Sequence, residues 1–124
     1  VDVSRNGVDY TVRLRGIQAP ELYSEPPEWL AAEAQSFVLD HVGFQVDLVF
    51  DAACDADPFL MCQDENGRVL SYVINQRGED LGLRLLELGL AEVLHSEGET
   101  FDRLEAYVAA ETRAREASLG LWAP

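Results

Sequence analysis

Apolar and polar positions alternate at the start of the chain, with Val1 and Val3 against Asp2 and Ser4, then Tyr10, Val12 and Leu14 against Thr11, Arg13 and Arg15. A period of two belongs to a strand with one covered face. Asn6-Gly7 between the runs supplies the positive-φ turn of a tight hairpin. Residues 1–17 are therefore expected to form two strands, ended by Gly16 and Pro20, with a Pro-punctuated loop over residues 21–28. The period then changes: Leu30, Ala34, Phe37, Val38 and His41 fall at helical spacing. Pro27 suits the first turn of that helix, Glu28 its positive end and Gly43 its close.

Residues 44–50 alternate again, with Phe44, Val46, Leu48 and Phe50 on one side, and read as a half-buried strand. Residues 51–66 form a long acidic excursion, in which 59–61 could pair across the loop. Asn66-Gly67 signals another turn before a strand at 69–74. After Gly78, Leu81, Leu85, Leu86 and Leu88 mark a helix ended by Gly89, and 90–94 a short strand. A last helix is expected from an N-cap near Thr100 to Leu119, with Phe101, Leu104, Val108 and Ala114 inward and Gly120 stopping it. Leu121 and Trp122 are then expected to pack onto the core. Short strand-to-strand links favour a small antiparallel β-barrel of about five strands with three α-helices, an α+β class, over a parallel sheet.

Composition bounds this reading. At 48% hydrophobic, the 124 residues can supply one core and are expected to form one domain, 1–124. Apolar runs are short or interrupted by charge, so no membrane span is expected. Met61 is the only methionine, so Val1 is read as lying downstream of the natural start. Cys54 and Cys62, eight apart with no histidine cluster nearby, do not read as a zinc site; a disulfide and two free thiols both remain open.

Charge changes the picture more. Twenty-three acidic residues stand against nine basic ones, all arginine, for a formal charge of −14. Such a field repels polyanions unless salt screens it or arginines are gathered locally. The reading preferred for this acidity is life in very high salt, where the Debye length falls to about 3 Å. The compartment stays open between a halophile's cytoplasm and secretion.

Three arginines are candidates for a local cationic patch. Arg13 and Arg15 sit two apart on a strand, hence on one face, and Arg68 follows the Asn66-Gly67 turn. Guanidinium suits bidentate recognition of phosphate or carboxylate. Glu21 directly follows the Pro20 turn, where loops present functional groups. On spacing alone, ordinary surface charges are the preferred reading of these residues.

The run Val12-Arg13-Leu14-Arg15-Gly16-Ile17-Gln18-Ala19-Pro20-Glu21 resembles the strand and turn of the staphylococcal nuclease-like family. Gly67-Arg68-Val69-Leu70-Ser71-Tyr72-Val73, Gly89-Leu90-Ala91 and Gly120-Leu121-Trp122 resemble three further family elements, in the right order over most of the chain. The resemblance implies an OB-fold barrel with three helices and calcium-dependent hydrolysis of DNA or RNA. By motif position Arg13 and Arg68 match the arginines that clamp the phosphate, and Glu21 the glutamate that positions or activates water. Arg15 stands where the family has an apolar residue, and would add anion contact or pair with a carboxylate such as Glu21. Gln18 replaces a metal-binding aspartate and Ala19 a common threonine, while a further acidic motif would fall before Val1 together with the family's first strand. The resemblance thus implies a calcium site weakened to the neutral oxygen of Gln18.

Other candidates have plainer roles. Asp51, Asp55, Asp57, Asp64 and Glu65 could hold a cation weakly but read as a solvated loop. His41 reads as a packing or capping residue, and His95 has no neighbours for a metal role. Tyr72 and Tyr107 could stack on a base, with Tyr72 favoured for the core. Trp29 could be an exposed binding aromatic or part of a lid. Two functions follow: a nuclease-family phosphodiesterase, or a non-catalytic OB-fold module binding nucleic acid or a protein partner through the Arg13, Arg15 and Arg68 face. Oligomeric state is open, with a monomer as the default.

Overall fold

A computed structural model of the chain describes residues 1–54, 57–94 and 100–124. Asp55 and His95 lie outside the described residues. The N-terminal alternation becomes strands β1 (Asp2–Arg5) and β2 (Val8–Leu14), antiparallel and joined through Asn6 and Gly7. Both turn residues have positive φ, 53° and 79°, as a tight hairpin of this twist requires. Strand β3 (Ile17–Gln18) follows the bend at Gly16.

Helix α1 (Ala31–Val42) comes next, then β4 (Val46–Val49), a single turn α2 (Pro58–Met61), β5 (Val69–Asn75) and α3 (Leu81–Glu87). Strand β6 (Glu92–Val93), α4 (Leu104–Glu116) and a 3-10 turn (Gly120–Trp122) complete the chain. The main sheet has the order β1-β2-β5-β4, and β3 pairs with β6 in a second, two-stranded sheet. The result is α+β: a curled four-stranded sheet forming a half-barrel of OB type, with three longer helices around it. Its sheet is mixed, not wholly antiparallel, because β2 and β5 run parallel in the register Val12 to Val69. The segment between them, carrying α1 and β4, is long enough for the crossover that parallel pairing needs.

Strand β5 is the centre of the fold, with Val69, Ser71, Tyr72, Val73 and Asn75 all buried. On one side Val12, Val69, Val73 and Leu81 pack together; on the other Tyr72 meets Ile17, Leu85, Leu86, Phe101, Tyr107 and Ala110. Helix α1 starts four residues later than its prolines suggest. Leu30 takes a left-handed φ of 68°, which interrupts any helix entering from Pro27. At its other end the α1 carbonyl of His41 accepts from Asn75 Nδ2. The His41 ring stacks on Phe37, at 4.0 Å between centroids, consistent with packing.

Helix α4 also departs from expectation. Phe101 is drawn into the core and the Asp102 amide donates to Asp51, so regular helix begins only at Leu104 and ends at Glu116. Its buried stripe is Tyr107, Ala110 and Ala114, while Val108 faces out. Residues 59–61 lie in the turn α2 and do not pair across the loop. Trp122, expected in the core, is half-buried beneath the Arg115 guanidinium, 4.2 Å from its ring. Cys54 and Cys62 form a disulfide. Among the described residues no helix is long and apolar enough to cross a membrane.

Candidate functional site

The parallel register decides where the arginines go. Arg13 on β2 stands opposite Leu70 of β5, and Arg68 lies two residues before Leu70, hence on the same face. The alternate positions Val12 and Val69 point the other way and are buried. Strand β2 and the residue leading into β5 therefore bring two guanidinium groups to one groove. They line a groove of about 400 Å³ together with Gln18, Ala19, Pro20, Glu21 and Tyr23.

Burial, and next the charge of Arg68, pull the Arg13 guanidinium below its ordinary value. Arginine stays protonated through such shifts, so two cations share one groove. Among the described residues Arg13 has no carboxylate partner; its Nη2 donates instead to Gln18 Oε1 at 3.1 Å. Arg68 is held by Asp64, whose Oδ2 accepts from Arg68 Nε at 2.7 Å.

Glu21 reaches the groove from the loop after Pro20. Its backbone amide donates to Glu28 Oε1 at 2.6 Å, and its carbonyl accepts from the Glu28 amide at 2.9 Å and from Ser24 Oγ at 3.2 Å. That loop is thus closed on itself, leaving the Glu21 carboxylate exposed and without a hydrogen bond among the described residues. Tyr23, 89% exposed, stands on the same loop and lines the same groove.

Arg15 is placed elsewhere. Its Nε donates to Asp51 Oδ2 at 2.9 Å, and its guanidinium lies over the Phe101 ring at 5.2 Å. Among the described residues the carboxylate it pairs with is Asp51, not Glu21, and Arg15 does not line the groove. Asp51 also accepts from the Tyr72 hydroxyl and from the Asp102 amide. Burial pushes the Asp51 carboxyl up, but these hydrogen bonds outweigh it and hold the group below its ordinary value. Tyr72 and Tyr107 are both about 1% exposed and unavailable for stacking; Trp29 is exposed at 60%.

Calcium takes six to eight oxygen ligands. Among the described residues, those of the acidic excursion included, no group of three or more His, Cys, Asp or Glu could hold a metal ion; Asp55 lies outside them. The Gln18 oxygen is directed to Arg13, whose positive charge would oppose a cation there, and its Nε2 donates to the Ala19 carbonyl. The described residues do not fit the ion. A larger cleft, about 1290 Å³, opens between β1, β4 and α1, but it contains neither Arg13 nor Arg68.

Sequence reasoning missed Asp64 as the partner of Arg68 and Tyr23 as a residue lining the groove. Asp64 was legible in principle, because an Asp four residues before Arg68 across Asn66-Gly67 is an Asx-turn signal. Tyr23 had no such signal.

The fold is thus a half-barrel of OB type with Arg13 on β2, Arg68 immediately before β5 and Glu21 after the turn proline. The chain matches the Staphylococcal nuclease homologue family over residues 11–124, and belongs to it. It is 32% identical over 117 residues to a protein named Probable endonuclease lcl3 of Pyrenophora tritici-repentis, covering 90% of this chain and 41% of that one. It is 29% identical over 123 residues to Probable endonuclease LCL3 of Phaeosphaeria nodorum, covering 95% and 39%. A protein of the same name from Leptosphaeria maculans is 32% identical over 117 residues, covering 90% and 37%. The chain thus spans about two fifths of the length of these relatives.

Proposed function

We propose that the groove binds a phosphodiester of DNA or RNA between Arg13 and Arg68 and that Glu21 is the carboxylate that orients or deprotonates attacking water. The observation that carries this is the pairing of β2 with β5, which sets two guanidinium groups on one face beside a loop-borne carboxylate. Two cations in one partly buried groove are relieved by an anion between them. In hydrolysis the same groups would stabilise the charge that develops on the phosphate oxygens, and the carboxylate would take the proton of the water. The relatives' names, endonucleases, support the same substrate class.

A second reading, a non-catalytic module that binds nucleic acid or a protein partner on this face, is favoured by one observation. The Gln18 oxygen that would serve a cation is engaged by Arg13. Cleavage by the chain is accordingly expected to be weak. A fluorogenic single-stranded DNA assay with calcium in molar KCl separates the readings: robust turnover abolished by Arg68→Ala selects the enzyme. If turnover is absent, fluorescence anisotropy with a short oligonucleotide should still show binding that weakens in Arg13→Ala. Each lost phosphate contact should reduce the salt dependence of binding by about one unit of slope. Oligonucleotide binding unchanged in Arg13→Ala would refute the phosphate clamp in both readings.

A further inference from the structure

The geometry points to Asp64 as the positioning residue for Arg68, mounted on an arm that the Cys54–Cys62 disulfide fastens to the barrel; the role in ligand binding rests on the function proposed above. The Asp64 carboxylate accepts three hydrogen bonds, two of them from Arg68. Its Oδ1 accepts from the Arg68 amide at 2.9 Å and from the Asn66 amide at 2.9 Å, and its Oδ2 takes Arg68 Nε at 2.7 Å. One carboxylate thus fixes both the backbone and the root of the guanidinium. With Nε occupied, the two terminal nitrogens of Arg68 form no hydrogen bond among the described residues, and the side chain lines the groove beside Arg13.

The arm is equally defined. The Asp64 amide donates to the Arg68 carbonyl at 2.8 Å and the Leu70 amide to the Cys62 carbonyl at 2.8 Å, so 62–64 runs antiparallel against 68–70. Cys62 is bonded to Cys54, three residues beyond Asp51, which is itself tied to Arg15 and Tyr72. The covalent link therefore joins the turn after β4 to the arm that carries Asp64. A long side chain held at one end loses less freedom when its fork closes on a ligand.

Asp64 also carries a negative charge near a site for anions, which by itself disfavours phosphate. Asp64→Asn and Asp64→Ala both remove that charge, but only asparagine keeps an acceptor. Binding of a short single-stranded oligonucleotide, followed by anisotropy, should weaken about tenfold in Asp64→Ala, the scale of one charge-assisted hydrogen bond. Asp64→Asn should recover most of that loss. Asp64→Ala should change nothing further in an Arg68→Ala background. Equal effects of Asn and Ala, or a full loss in the Arg68→Ala background, would overturn the proposal.

A second measurement does not depend on any ligand. The Arg68 Nε–H proton, observed by NMR with assignment from Arg68→Lys, should be protected from solvent exchange in the protein. It should lose most of that protection in Asp64→Ala, and part of it in the Cys54→Ser, Cys62→Ser double variant. An unprotected proton in the protein, or protection unchanged by Asp64→Ala, refutes the positioning. A protected proton in a protein that binds no oligonucleotide refutes the phosphate groove and leaves the Asp64 tether standing.

Discussion

Replacing Asp80 by alanine removes three interactions from one buried carboxylate. Asp80 is 7% exposed, caps α3 by accepting from the Leu83 amide at 3.1 Å, and accepts the Tyr107 hydroxyl at 2.8 and 2.9 Å. It also pairs with Arg103 Nη1 at 2.9 Å. A lost N-cap costs about 1 kcal/mol. A Tyr107 hydroxyl left buried without a partner costs roughly 1–3 kcal/mol. The Arg103 pair is more than a third exposed on the arginine side, so solvent screening leaves it at most about 0.5 kcal/mol. Asp80→Ala should therefore lose about 3 kcal/mol, which for a chain of this length lowers Tm by roughly 10–15 °C. Urea unfolding followed by circular dichroism gives the test, with Tyr107→Phe as its partner. That substitution should cost about 1 kcal/mol in the protein but raise the stability of Asp80→Ala, because it removes the orphaned hydroxyl. A loss below about 1 kcal/mol in Asp80→Ala, or the same sign for Tyr107→Phe in both backgrounds, would refute the reasoning.

Two further outcomes are expected. Asp51 and Asp64 are both held below the ordinary carboxylate value: burial pushes each upward, but hydrogen bonds and nearby arginines outweigh it. A depressed folded pKa contributes stability that is complete above the unfolded value of about 3.9 and is lost as pH falls through the folded value. Stability should thus decline in acid below about pH 4, and Asp51→Asn should flatten that decline in a pH series of urea midpoints; an unchanged slope would contradict the assignment. Gly16 and Gly7 share positive φ, 81° and 79°, but a Cβ on Gly16 would strike the Phe101 ring while Gly7 has open space. Gly7→Ala should cost about 1 kcal/mol of backbone strain and Gly16→Ala clearly more by thermal unfolding; equal costs would mean that Phe101 yields freely.

Much was legible in the order of residues. Local rules carried the N-terminal hairpin, since Asn6-Gly7 dictates its turn whatever surrounds it. Period-two and helical spacing located β4, β5, α1 and α3, and motif order carried the family. Arg13, Glu21 and Arg68 were all singled out before any geometry, and the fold brings them to one groove.

What only the tertiary structure decided was partnership. Arg13 and Arg15 are equivalent by alternation, yet Arg15 turns to Asp51, 36 residues away, and Arg13 remains at the groove. The parallel pairing of β2 with β5 could not be read from short turns, because it depends on a crossover between distant segments. Helix α4 began late for the same reason: Phe101 and Asp102 are engaged by the core and by Asp51 before the helix can form. Periodicity reports which face of an element is apolar. Which charge meets which charge is set by contacts between residues far apart in the chain, and those exist only once it has folded.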